Sequence, residues 1–233
     1  NKIKGPGFSI ETVVRHGYPE DELQKEVAEF GADLLVVGLS GNVGTLAELL
    51  GSKTSDIIKK ATVPVLSVPL AASYKNAELK KVMYITDFRK TEFSSLHQLI
   101  EFLSSASTQV HCLHYCHVKP DEWDDRRLAQ LQEYCDQTYR NQKVICEMLV
   151  GENLVGDISA FVNNKGIQLI AMTHKHRRLI TQWLHPDVAQ KLGLTLPASL
   201  LDKATLVTGE TKKERYAKRL AVFVFSDSTI LEL

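Results

Sequence analysis

Short apolar, β-branched runs alternate with amphipathic stretches along most of this 233-residue chain, and no other feature restricts its fold so strongly. Phe8 to Val14 alternates in the manner of a strand. Tyr18-Pro19-Glu20-Asp21-Glu22 then places proline and acids in a first helical turn, Leu23, Val27 and Phe30 recur at helical spacing, and Gly31 marks the stop. Leu34 to Gly38 is a short apolar strand, Leu46 to Ala61 an amphipathic helix, and Val63 to Pro69 another strand. Near-continuous apolar strands joined by helices predict parallel pairing through right-handed crossovers, an open-sheet α/β fold.

The order then restarts. Residues 70 to 78 are small and polar, as in a linker. Strands are expected at Leu79 to Ile85, Val110 to Val118, Val144 to Val150 and Ile167 to Thr173, with helices at Glu92 to Ser105, Trp123 to Asn141 and Val155 to Asn164. Ala32 to Gly38 aligns with Ile167 to Thr173, so the chain reads as two copies of one pattern in tandem, the first lacking two strands and two helices at its front. The boundaries drawn are a first unit over 1–70, a second over 78–207, and a segment over 208–233. In that last segment Thr208 to Lys218 would be a connector and Leu220 to Phe225 a strand. Because the chain opens inside the pattern and without Met, something upstream is expected to be removed or rearranged.

Charge decides what partners to expect. Lys plus Arg equals Asp plus Glu at 28 each, so no overall field attracts nucleic acid or an anionic membrane, and no apolar run reaches the length of a membrane span. The four cysteines, Cys112, Cys116, Cys135 and Cys146, lack Cys-x-x-Cys spacing and fit reduced thiols in a cytoplasmic protein.

The chemistry is concentrated in the first unit. Gly38-Leu39-Ser40-Gly41 is followed after nine residues by Gly51-Ser52-Lys53-Thr54, between a strand and a helix. Glycines at the carboxyl end of a parallel strand let backbone N–H groups approach phosphate oxygens, and the hydroxyls and ammonium add further donors. Walker A spacing is absent. The whole run from Gly38 to Pro69 resembles the last loop, helix and strand of ATP-binding universal stress proteins. That resemblance implies a five-stranded α/β unit of the adenine nucleotide alpha hydrolase-like type. Gly38, Gly41, Gly51 and Ser52 would hold the phosphates of ATP, or of ADP or AMP, with backbone from Lys53 and Thr54, and Mg could accompany the nucleotide. It further implies a role in stress response or signalling, and units paired through their last strands as a homodimer or an intramolecular pseudo-dimer.

The same resemblance places an Asp at the end of the first strand, facing adenine or ribose. Ile85-Thr86-Asp87-Phe88 supplies it, but in the second unit. There Thr173-His174-Lys175-His176 and Pro186-Asp187 replace the glycines, so this unit is not expected to hold ATP, and Asp87 is read chiefly as a cap for the following helix. Arg219 to Ser228 resembles the missing first strand of the first unit, with Val224 in the place of the Asp. Leu220 to Phe225 is therefore expected beside the first unit's strands, which leave an edge open.

Other signals are weaker. Cys112, His114 and Cys116 share one strand face, but ligands strung along a single strand span too far for one tetrahedral ion, so no metal site is expected there. His174 to Arg178 is a basic cluster suited to a solvated loop or to an anion, and Trp123 and Trp183 read as packing residues. No nucleophile elbow appears and no catalytic residue is assigned. An interaction module without nucleotide and a weak ATPase are the alternative readings.

Overall fold

The computed structural model describes residues 2–5, 8–39, 52–69, 79–103, 107–117, 119–173, 204–208 and 220–223. Its strands are β1 (Lys2–Gly5), β2 (Phe8–Glu11), β3 (Leu34–Leu39), β4 (Val65–Pro69), β5 (Lys81–Ile85), β6 (Gln109–Cys116), β7 (Val144–Val150), β8 (Leu169–Thr173), β9 (Ala204–Thr208) and β10 (Leu220–Phe223). The helices are α1 (Pro19–Phe30), α2 (Ser52–Lys60), α3 (Lys90–Leu103), α4 (Glu122–Thr138) and α5 (Leu154–Lys165).

Local chemistry sets the helix ends. Proline and three acids open α1, and Gly31, at φ 65°, closes it by donating to the Val27 carbonyl. Asp121 and Asp124 form a reciprocal capping box at the start of α4. Asn153 caps α5, which ends at Gly166 with φ 68°.

Among the described residues, eight strands form one sheet in the order β10-β3-β4-β9-β8-β5-β6-β7. Every neighbouring pair is parallel except β4 and β9. Alternate residues of each strand face opposite sides. Met83 and Ile85 join a core with Leu23 and Val27 of α1, Ile57 and Ile58 of α2, and Ile158 and Val162 of α5. Val82 and Tyr84 join another with Leu96, Leu99 and Leu103 of α3 and Leu131 and Cys135 of α4. Helices thus cover both faces, as a doubly wound sheet requires.

The register exposes an internal two-fold relation. Leu35 pairs with Val65 and Ile170 with Thr205, while Leu34 pairs with Leu220 and Leu169 with Val82. With Leu34 equivalent to Leu169, β10, β3 and β4 correspond residue by residue to β5, β8 and β9. β10 therefore occupies, beside β3, the place that β5 holds beside β8.

Two readings of the sequence need correction. Phe8 to Val14 does not enter the sheet. Its strand, Phe8–Glu11, pairs antiparallel with Lys2–Gly5 in a separate two-stranded sheet. By alignment of α1 with α5, this segment matches β7, whose neighbour is β6. No counterpart of β6 stands beside β10 among the described residues, so the segment lacks an adjacent ladder and pairs with the strand that precedes it. The second correction is β9, a polar-ended strand that the sequence reading passes over, and it is this strand that receives β4.

Candidate functional site at the carboxyl ends of β3 and β10

In an open α/β sheet, ligands bind beyond the carboxyl ends of strands where the winding reverses. In the second half the chain runs outward from β5 to β6 and β7 and then returns to β8 on the other side of β5, so the reversal lies between β5 and β8. The corresponding place in the first half lies between β10 and β3, where Phe223 stands beside Val37.

Gly38 follows Val37 at this point. Its backbone does not enter the left-handed region, and among the described residues nothing lies within 4 Å of where its Cβ would be. Neither a left-handed backbone nor a described neighbour therefore demands glycine here.

Helix α2 points its N-terminus at the same region. It leads directly into the amino end of β4, which is parallel to β3, so α2 runs opposite to the strands and starts near their carboxyl ends. Ile57 and Ile58, both buried, hold it to the sheet, and Lys60 Nζ bonds Asp21 Oδ1 on α1 at 2.6 Å. Ser52, Lys53 and Thr54 form its first turn, where backbone N–H groups lack helical acceptors and the dipole favours an anion. Gly41 and Gly51 lie outside the described residues, as do the side chains of Ser52, Lys53 and Thr54. Ser67, on β4, is fully buried.

The equivalent end of the second half is built differently. Thr173 stands in the place of Gly38 and is buried. After β5 the chain turns through Thr86 to Arg89, with Phe88 at φ 60°, a conformation costly for a bulky residue. Glu92, only 3% exposed, holds the turn: its Oε2 accepts from Thr86 Oγ1 at 2.7 Å, from the Asp87 N–H at 2.9 Å and from the Arg89 N–H at 3.3 Å. The Phe88 N–H donates to Thr86 Oγ1 at 3.0 Å, and the Phe88 ring lies 4.3 Å from that of His114, whose Nδ1 is 2.8 Å from the Thr86 carbonyl oxygen. Glu92 thus organises the entrance to α3, and Asp87 is exposed with its carboxylate 3.7 Å from the Arg89 guanidinium. Glu92 three residues after Arg89 is the spacing of a capping-box acid, the one signal in the sequence that could have revealed it.

Other expected features are placed as follows. His174 to Arg178, Trp183, Pro186, Asp187 and Val224 lie outside the described residues. Trp123 is 63% exposed, with the Arg126 guanidinium 5.5 Å from its ring, so it is a surface residue and not a packing one. His111 is buried, its Nδ1 2.7 Å from Glu147 Oε1, while Glu147 Oε2 pairs with Lys165 Nζ at 2.8 Å. Cys112 meets neither His114 nor Cys116 in a ligand set; it faces Cys135 and Cys146, the three Sγ atoms lying within 4.8 Å of one another. No helix among the described residues is long and apolar enough to cross a membrane.

Fold and site together define a doubly wound α/β protein with a glycine-bearing strand end and a helix N-terminus at one winding reversal. Comparison with known proteins narrows this. A family model described as the universal stress protein family matches residues 2–69. A universal stress protein of Methanocaldococcus jannaschii is 33% identical over 67 residues, 29% of this chain and 41% of that protein. Universal stress protein G of Shigella flexneri is 42% identical over 59 residues, 25% of this chain and 41% of its own length. The chain therefore spans about two-fifths of the length of these curated relatives. Among solved structures, a universal stress protein from Archaeoglobus fulgidus superimposes with a TM-score of 0.56 at 16% identity, covering 84% of this chain and 67% of that one, a likeness of fold. Residues 2–69 are thus similar to the universal stress protein family.

Proposed function

We propose that the chain binds an adenine nucleotide, ATP foremost, with its phosphates on the segment from Gly38 to Thr54, and acts as a cytoplasmic, non-enzymatic component of stress response or signalling. One observation carries this reading: β10 lies parallel beside β3, so that the strand end bearing Gly38 and the N-terminus of α2 meet at a winding reversal. Gly38, Gly41 and Gly51 would admit phosphate oxygens to backbone N–H groups, and Ser52, Lys53 and Thr54 would add the first-turn donors of α2, with Mg able to share the phosphate charge. The second half, with Thr173 in the glycine position, would serve as the pairing partner of the first in a pseudo-dimer, and does not bind nucleotide in the same way.

Nucleotide released from freshly purified protein and identified by chromatography tests this. ADP, AMP or ATP at a substantial fraction of the chain is expected. Absence of bound nucleotide together with no rise in melting temperature on adding millimolar ATP would leave the interaction-module reading instead. His174→Ala and Pro186→Ala should leave ATP affinity unchanged, and a large loss from either would move the site to the second half.

A further inference from the structure

The second half carries a thiol cluster that the nucleotide reading does not use. Cys112 on β6 and Cys146 on β7 are direct register partners, so both side chains leave the same face of the sheet. Helix α4 packs on that face and brings Cys135 down to them, and all three Sγ atoms lie within 4.8 Å of one another. The approach of the helix is fixed by Gln132, one turn before Cys135. Its Nε2 donates to the Val144 carbonyl at 3.1 Å and its Oε1 accepts from the Cys146 N–H at 2.7 Å. Cys112 and Cys135 are buried, Cys146 is half-buried, and the same core holds Tyr84, Leu131, Tyr139 and Val144.

We propose that Cys112, Cys135 and Cys146 form a three-thiolate site for a soft, thiophilic metal ion, with copper(I) the ion that fits it. A metal–sulfur bond of about 2.3 Å puts the sulfurs of a trigonal site about 4 Å apart. The cluster therefore needs only a small contraction, and the helix clamp already holds the third ligand over the other two. Tetrahedral zinc requires a fourth donor. Among the described residues no further His, Cys, Asp or Glu completes the group. Copper(I) is satisfied by few soft ligands, thiolates among them. On binding, the thiol protons leave to solvent and each sulfur donates its lone pair to the ion, with no change of oxidation state. Cys116, on the same strand, stands apart with its Sγ 3.9 Å from Asp124 Oδ2.

The test is an anaerobic titration of the reduced full chain with copper(I) against a chromogenic copper(I) chelator, followed by X-ray absorption at the copper edge. One ion per chain with three sulfur neighbours is expected. Cys135→Ser and Cys146→Ser should each weaken binding by about tenfold or more, a loss at least as large as that seen on removing outer-shell partners, while Cys116→Ser leaves it unchanged. Circular dichroism and melting establish that each variant is folded, and the half-buried Cys146 supplies the decisive variant should Cys135→Ser not fold. A folded wild-type chain that retains no copper(I) would overturn the proposal. So would undiminished binding in Cys146→Ser, or a disulfide among the three in freshly purified protein with no copper uptake.

Discussion

Leu66 on β4 stands directly opposite Leu206 on β9, and the two are each other's equivalents in the two halves of the sheet. Val65 pairs with Val207 and Ser67 with Thr205, so the two-fold relation passes through the leucine pair. From this point three strands repeat outward on either side. Beyond them the second half continues through β6 and β7, and among the described residues the first half ends at β10.

The joint is a backbone interaction, which makes it vulnerable to proline. β9 lies between β4 and β8, and proline in a strand paired on both sides removes a ladder hydrogen bond. Leu206→Pro should lower the melting temperature and raise the radius of gyration in small-angle scattering. A variant with wild-type values of both would show that the halves are joined elsewhere.

β10 supplies the first half with the strand that borders its winding reversal. Deleting residues 209–233 should destabilise residues 19–69 to proteolysis and weaken ATP binding. Unaltered melting together with unaltered affinity would separate the tail from the site.

Glu92 receives three donors in a buried place, so truncating it leaves the Asp87 and Arg89 N–H groups without their acceptor. Glu92→Ala should cost about 2 to 4 kcal/mol in urea denaturation, more than one donor's desolvation and less than the sum of all three. A loss under about 0.5 kcal/mol would mean that the turn through Phe88 is held by other contacts.

Glu147 gives a pH dependence of definite sign. Burial alone would raise its pKa, but hydrogen bonds from Lys165 and His111 outweigh this and hold it below the usual carboxylate value of 4.5. A depressed carboxylate contributes stability above its unfolded pKa, and this is lost as pH falls through the folded value. Unfolding free energy in the wild type should therefore fall more steeply below about pH 4.5 than in Glu147→Gln. Since the group is partly exposed, added salt should reduce the difference. Parallel acid limbs in the two proteins would remove the ion pairs from the account.

Much of the architecture is legible in the residues because buried parallel strands are written as apolar runs and helices as spaced ones. Val144–Val150 is read residue for residue, and Gly31 and Gly166 end helices where left-handed glycine should. What escapes is whatever depends on a neighbour distant in the chain. Phe8–Glu11 has the alternation of a sheet strand, but strand propensity does not say whether an adjacent ladder exists. Ala204–Thr208 is short and flanked by polar residues, and becomes a strand because β4 and β8 lie on either side of it. For the site, the glycine and helix-start pattern from Gly38 to Thr54 is legible locally. The gathering of Cys112, Cys135 and Cys146 is not, because it requires two strands and a helix to be stacked in register.

Isothermal titration of the full chain with ATP, compared with Gly41→Val and Gly51→Val, tests whether the segment from Gly38 to Thr54 holds nucleotide phosphates. A valine at either position would occupy phosphate space while leaving the fold intact. Saturable binding by the wild type, its loss in both variants and unchanged far-ultraviolet circular dichroism are expected. ATP binding of equal affinity in the wild type and in both variants would contradict that placement.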